Sequence, residues 1–497
     1  MPDLFISEEK ARSGLLDAAA FLGERINSSD GHAEAMLAVV PLMLGRGDVD
    51  LAAELSNAVD DPYTRDRLLG RVASACAEND DDEYALQLAD AVEDEGLRQQ
   101  TFEAIGVIKA AKGQFEAARE AAALTPHPDF VFAVIADSAE AADNVDAMSA
   151  AIDAIEFPAA IVAAYHRIAV RSITAGDLEK AVAMLEKAAA AADGIEHAEE
   201  RIGAVCDIAA ASIDARRNDL AIRLYDSAMK EALELGNVHT DSLLAACALG
   251  FCRAGSEELS EKALDEIRDK VQMSYALLGI AREEWRRELK DTAKETLEDA
   301  FAVVESQPDH EIRDSRSRND LMATIAVQFA GFGDTARAVS AARANLDDDQ
   351  REAALGQIAR ILLIQNERDE IGAVVDEIET PLARVFAYAA MADLEIENGR
   401  IDEAKAFLAA AADESASIPQ PQARAIAFAE IAERASAIGD AASADAAATQ
   451  QIAAVAEIKD ASARATALAR LSNIYRDAPP PASVTVEVNN LIDKAVF

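Results

Sequence analysis

The run IAVRSITAGDLEKAVAMLEKA, residues 168–188, reads as two helices joined by a tight turn. The apolar–small pair Ile168-Ala169 lies in the first helix, helix A. Gly176-Asp177-Leu178 makes the turn, and Ala181, Leu185 and Ala188 recur at intervals of three and four along helix B. Glycine suits a helix C-cap because that position needs a positive φ, which penalises a Cβ. The aspartate after it suits the N-terminus of the next helix, where a carboxylate meets unpaired N–H groups and the positive end of the helix dipole.

Working outward, the same pattern recurs. Clear copies are Met391-Ala392 with Gly399, Ile431-Ala432 with Gly439-Asp440, Ile325-Ala326 with Gly333-Asp334, and Ile105-Gly106 with Gly113. Weaker copies start at Val72-Ala73, Ile135-Ala136, Ile208-Ala209, Ile280-Ala281 and Ile358-Ala359, with edge copies near Val39-Val40 and Leu471-Ser472. A copy around Leu249-Gly250 reads as degenerate, with a longer turn. Self-similarity at about 31 to 42 residues is the signature of stacked helical repeats. One hairpin cannot bury its apolar face alone, so its neighbours must cover it. The expectation is an all-α solenoid of about thirteen antiparallel two-helix hairpins. Residues 1–30 are expected to form an N-terminal capping helix, with its amphipathic stretch at 7–26, and 31–477 the repeat array. Residues 478–497 read as a Pro-rich break followed by a C-terminal capping or docking helix.

The unit resembles the tetratricopeptide repeat family. That family's packing positions fall here on Ala169, Gly176, Ala181, Leu185 and Ala188, and the resemblance runs from about His32 to Tyr475. The chain departs from the family pattern: the helix-A tryptophan is missing, Trp285 lies elsewhere, and the proline that closes helix B is mostly absent. The resemblance implies a right-handed superhelix whose inner groove is lined by A helices, and it implies no chemistry.

Composition agrees with helices. Gly and Pro are scarce among the 497 residues, and aromatics make up 5%. Much of the apolar content is alanine, the strongest helix former. The formal net charge is −44, with 91 acidic against 47 basic residues, of which 13 are Lys. This acid-rich, Lys-poor pattern resembles salt-adapted (halophilic) proteins, in which salt screens the repulsion and carboxylates hold water. Such a field disfavours direct binding to nucleic acid or anionic membranes and favours a protein partner with a basic surface. The N-terminus has no basic segment followed by an apolar one, and no apolar stretch is long enough to span a bilayer, so a cytoplasmic location is expected. Cys76, Cys206, Cys247 and Cys252 form no CxxC pair and read as buried free thiols.

Two arginine patterns stand out. One is an arginine seven residues before the apolar–small pair, at Arg65, Arg98, Arg201, Arg318, Arg351, Arg384, Arg424 and Arg464. Seven residues are two helical turns, so each sits near the start of helix A. The structural reading is a ladder of salt bridges or carbonyl contacts at the inter-repeat turns; the functional reading is a rim that recognises carboxylates. The other pattern is a local basic run, Arg282, Arg286 and Arg287 around Trp285, followed by Arg313, Arg316 and Arg318 beside the polar loop 306–320. It reads either as a partner-docking patch with Trp285 as anchor or as partners for nearby acids. The acidic runs at 80–83 and 347–349 read as solvated turns. No histidine pair has metal-ligand spacing, and phosphate-loop, dinucleotide and nucleophile-elbow motifs are missing. No catalytic residue, metal or cofactor is expected. The function expected is a non-enzymatic scaffold or adaptor; the alternative is a subunit of a large assembly, such as a factor docking on basic ribosomal proteins. Oligomeric state is left open.

Overall fold

The computed structural model describes residues 4–306, 315–476 and 478–496, with the side chains of 315–317 excepted. All regular structure among them is helical. The chain opens with α1 (Glu8–Ala11) and α2 (Leu15–Gly23). Hairpins follow: α3 (Ser29–Gly45) with α4 (Val49–Asn57), α5 (Pro62–Glu78) with α6 (Asp82–Asp90), α7 (Glu95–Ala111) with α8 (Phe115–Ala122), and α9 (Asp129–Ala141) with α10 (Val145–Ile152). Next come α11 (Pro158–Thr174) with α12 (Leu178–Ala192), α13 (Ala198–Asp214) with α14 (Asn218–Leu235), α15 (Thr240–Ala254) with α16 (Glu257–Glu266), and α17 (Lys270–Arg286) with α18 (Lys290–Glu305). The last are α19 (Ser315–Gly331) with α20 (Thr335–Arg343), α21 (Asp348–Gln365) with α22 (Arg368–Val375), α23 (Pro381–Glu397) with α24 (Ile401–Ser417), and α25 (Pro421–Ala437) with α26 (Ala441–Glu457). The chain ends with α27 (Ala461–Leu471) and α28 (Ala482–Val496). The architecture is an all-α solenoid.

Each A–B turn holds one residue in the left-handed region, eight positions after the first member of the apolar–small pair. Seven are glycines: Gly47, Gly113, Gly176, Gly255, Gly333, Gly399 and Gly439. Five are not: Asp80, Asp143, Arg216, Glu288 and Asn366, with φ between 55° and 64°. In each turn the next N–H reaches back five residues, as from Asp177 to Ser172 O at 2.9 Å and from Asp440 to Ala435 O at 2.8 Å. This bond satisfies a carbonyl that the end of helix A leaves unpaired. Asp177, Asp334 and Asp440 then cap helix B through their side chains. The turn therefore ends one helix and starts the next within two residues.

The constant offset corrects the degenerate copy. Gly255 is the left-handed residue of α15–α16, so the pair there is Cys247-Ala248, not Leu249-Gly250, and the turn is no longer than the others. Cys247 and Ala248 are both fully buried. The thiol stands where other repeats place Ile or Val, acting as a small apolar group. Gly250 serves a different purpose: a Cβ there would overlap the ring of Tyr225 on α14. Tyr225 occupies the position that Leu185 holds in α12, so a larger side chain on helix B is matched by a missing one on the next helix A. Repeat length comes in two main sizes. Asn366 to Gly399 spans 33 positions and Gly399 to Gly439 spans 40. The extra seven residues are two helical turns in helix B, which keep its apolar face in register.

The residues form two compact units, 1–105 with 355–497, and 106–354. In the second unit successive A helices, α9, α11, α13, α15, α17 and α19, pack side by side, each also against its own B helix. The cores are alanine-rich clusters punctuated by larger residues such as Leu185, Tyr225 and Phe251. All four cysteines are buried and free, with Cys206 and Cys247 Sγ atoms 3.9 Å apart. Burial pushes the thiols of Cys76 and Cys252 up to about 11.

In the first unit the two ends of the array meet. Helix α27 has no B helix after it in the chain, because Pro479, Pro480 and Pro481 interrupt. Its B helix is α2, which packs on α27 and on α3 as each B helix packs on its own A helix and the next one. Helix α3 in turn lies beside α27 as neighbouring A helices do. Two arginines exchange across this seam: Arg46 donates to Ser472 O at 3.1 Å and Arg476 donates to Gly45 O at 2.9 Å. Ser462 donates to Glu34 at 2.7 Å, and α28 packs on α26 and α2. The expected single helix over 7–26 is thus two, split by Arg12-Ser13-Gly14. It completes the last hairpin instead of simply covering the first, because α27 presents an apolar face that only a helix can cover.

Two measurements test this construction. Replacing Arg216 by Gly is expected to raise stability by about 0.5–1 kcal/mol, because the strain at a left-handed residue exceeds the added freedom of the unfolded chain. Gly176→Val is expected to lower it by about 1–2 kcal/mol; equal denaturation midpoints for the two variants would contradict the turn's role. A chain starting at residue 27 loses the burial of Leu16 and Phe21, about 1.5–3 kcal/mol each. It is expected to melt lower, to bind a hydrophobic dye, and to recover when a peptide of residues 4–26 is added.

Candidate interaction surfaces

In eight repeats an arginine seven residues before the pair lies near the first turn of helix A, where the chain has just left the preceding helix B. A buried Ile or Val plugs that junction six residues earlier: Val92, Ile195, Ile378 and Ile418 are 0–3% exposed. The arginine folds back and donates to that residue's carbonyl. Arg384 Nη1 lies 2.7 Å from Ile378 O, Arg424 Nη1 3.3 Å from Ile418 O, Arg98 Nη1 3.5 Å from Val92 O, and Arg201 bonds Ile195 O. A second arm reaches a carboxylate on the following B helix, as in Arg384–Glu414 at 2.9 Å, Arg424–Glu457 at 2.7 Å and Arg201–Glu231. Arg65 differs, bonding its neighbour Asp66 and Glu93. Arg351 pairs with Asp348, and Arg318 is buried. Arg464 lies near Asp460, whose carboxylate is held below its usual range by hydrogen bonds from the Ala463 backbone and the Ser462 side chain and, after these, by the Arg464 charge.

Sequence reading missed a second device one residue further on. Asp66, 1% exposed, accepts from the N–H groups of Glu93 and Asp94 at 3.0 and 2.7 Å. Asp129 does the same for Glu156 and Phe157, and Asp241 for Arg268 and Asp269. Asn319 takes the corresponding N–H of Leu346 at 3.4 Å. Each carboxylate thus satisfies two loop donors of the next repeat with charge-assisted bonds. Its signal in the sequence is an Asp or Asn six residues before the apolar–small pair, hidden in a chain this rich in acid.

The basic run around Trp285 is folded into the repeats. Trp285 stacks on Phe332 with ring centroids 4.3 Å apart and is half-buried. Glu283, 7% exposed, receives both Arg286 and Arg287, at 2.6 and 2.8 Å. Arg287 also donates to the carbonyls of Cys252 and Arg253 at the end of α15, and Arg282 bonds Gln328 at 2.6 Å. Arg313 lies outside the described residues, as does the Arg316 side chain; Arg318 is buried on α19. The arginines therefore neutralise a buried glutamate and a helix C-terminus.

A further network joins three A helices in the first unit. Glu430 binds Arg434 and Arg470, Glu433 binds Arg470, and Arg434 reaches Asp393, all at 2.6–2.8 Å. Burial raises the Glu430 carboxyl, but the two guanidinium groups outweigh it and hold the group below its usual range. Its stabilising contribution is present above the unfolded carboxylate pKa and is lost as pH falls through the lowered value. The acidic turns have local roles: Asp81 caps α6 and Asp347 accepts from Gln350 N–H. Among the described residues no three His, Cys, Asp or Glu side chains gather as metal ligands, and no helix is long and apolar enough to cross a membrane.

No protein-family model matches the chain, and no curated protein matches it in sequence. Among solved structures, Ton1535 from Thermococcus onnurineus NA1 is similar at 16% identity and a TM-score of 0.24, over 72% of this chain and 98% of that one. A circular tandem repeat protein with a novel repeat topology is similar at 12% identity and a TM-score of 0.13, over 99% of each chain.

Replacing Arg384 by Gln removes a charge-assisted bond to a buried-loop carbonyl. The expected loss is about 1–2 kcal/mol, discounted for partial exposure. Glu414→Gln, which keeps the carbonyl bond, is expected to cost less. Chemical denaturation of the two variants checks the order, and a larger loss for Glu414→Gln would show that the carboxylate arm dominates.

Proposed function

We propose that the chain is a non-enzymatic protein-binding scaffold of tetratricopeptide-like repeats whose partner carries a basic surface. The observation that carries this is the placement of charge. Helix B begins repeatedly with exposed acids: Glu257 and Glu258, Asp369 and Glu370, Asp402 and Glu403. These side chains complement the helix dipole and hold the negative potential at the surface. Many of the arginines described above are engaged by loop carbonyls and carboxylates of the chain itself, and the chain as a whole carries a formal net charge of −44. Such a field steers a basic partner by charge and repels nucleic acid. The same surface supports adaptation to a saline medium.

Fluorescence anisotropy with a labelled Lys/Arg-rich peptide tests the reading, with helicity followed across the same salt titration. Expected is saturable binding that weakens steadily as salt rises, helicity that falls in dilute buffer, and no binding of duplex DNA or anionic vesicles. A basic peptide that fails to bind at every salt concentration would sink the proposal.

A further inference from the structure

In the first unit, α3, α5 and the first part of α7, up to Ala104, line an open recess of about 620 Å³. It exists because small residues face it: Gly70 brings α5 so close to α7 that a Cβ would lie 2.8 Å from Thr101 Oγ1. Pro41, Leu44 and Leu97 give it a half-buried apolar floor. Two arginines, Arg67 and Arg71, stand on its wall one helical turn apart, both exposed. Neither is paired with a carboxylate among the described residues; Arg67 lies over the Tyr63 ring at 5.8 Å. Like charges one helical turn apart repel each other. In a chain with almost two acids for each base, an unneutralised pair is an arrangement that surface pairing would ordinarily remove. The carboxylate nearest in the wall, Asp66, is already committed to Arg65 and two loop N–H groups. Glu78 stands two turns beyond Arg71. The Gln100 amide also faces the recess.

We propose that this recess binds a phosphomonoester dianion, the phosphate held by Arg67 and Arg71 and the organic body lying on the apolar floor. Two planar guanidinium forks suit the three oxygens and double charge of a phosphate better than a single carboxylate. The volume lies within the range of small-ligand sites. The ligand is independent of the basic partner proposed above, since it has the opposite charge and uses different residues.

Calorimetry on the full chain tests this with phenyl phosphate, inorganic phosphate and hexaglutamate. Phenyl phosphate is expected to bind saturably with unit stoichiometry. The double variant Arg67→Gln/Arg71→Gln is expected to weaken it at least about ten-fold, and Arg71→Lys, which keeps charge but loses the fork, by a smaller factor. Arg223→Gln, an exposed charge on α14, is expected to leave binding unchanged. Tighter binding of phenyl phosphate than of inorganic phosphate supports an ester on an apolar body; equal binding overturns the phosphomonoester assignment. Unsaturable heats, an unaffected double variant, or hexaglutamate binding more tightly through the same arginines overturns the proposal. Circular dichroism of the variants separates lost binding from lost fold.

Discussion

A single backbone constraint organises the molecule: the chain reverses between helices A and B through one left-handed residue set eight positions beyond the apolar–small pair. The offset fixes where helix A stops, which carbonyls the following N–H must satisfy, and which face helix B presents. Glycine meets the constraint at no steric cost. Arg216, Glu288 and Asn366 meet it under strain, which the stacked neighbours sustain. The apolar–small pair is buried in every repeat because the turn holds it at one height in the stack. Repeat length can then change by two helical turns without disturbing it.

Stacking creates a second demand. Each junction between repeats is a short loop whose donors and acceptors must be paired. The chain uses two complementary solutions. Arginine folds back onto the carbonyl of the buried Ile or Val behind it, and aspartate reaches forward to two N–H groups of the next junction. Both are charge-assisted and partly sheltered, so they contribute more than exposed ion pairs do. They also explain how a protein so poor in basic residues spends them: Arg287 at a helix C-terminus and Arg470 between two glutamates serve the same end. Acids are left over at the start of the B helices.

A stack of hairpins has two apolar ends, which must be covered. Here α2 supplies the B helix that α27 lacks, so residues far apart in sequence form one hairpin. The swapped pair Arg46–Ser472 and Arg476–Gly45 ties the seam at the C-terminal ends of two A helices. The ends of the array are therefore part of its core, and α28 lies over them.

The sequence by itself determined the unit. Helical periodicity, glycine at the turn, aspartate after it and the alanine ladder are local signals, and they sufficed for the class of fold, the hairpins and the arginine register. Local signals misplaced the copy at Cys247, because a cysteine does not announce itself as a core residue and Leu249-Gly250 looked more like the pair. Only the tertiary structure decided that Asp66, Asp129 and Asp241 reach the next repeat, that the arginines around Trp285 bond to Glu283, Gln328 and the end of α15, and that α2 belongs to the last hairpin. Apart from the local pairs with Glu283, these contacts join residues about 27 to 46 or several hundred positions apart. Nothing in the periodicity of either segment records them, because burial and hydrogen-bond satisfaction are properties of the assembled stack and not of any one hairpin.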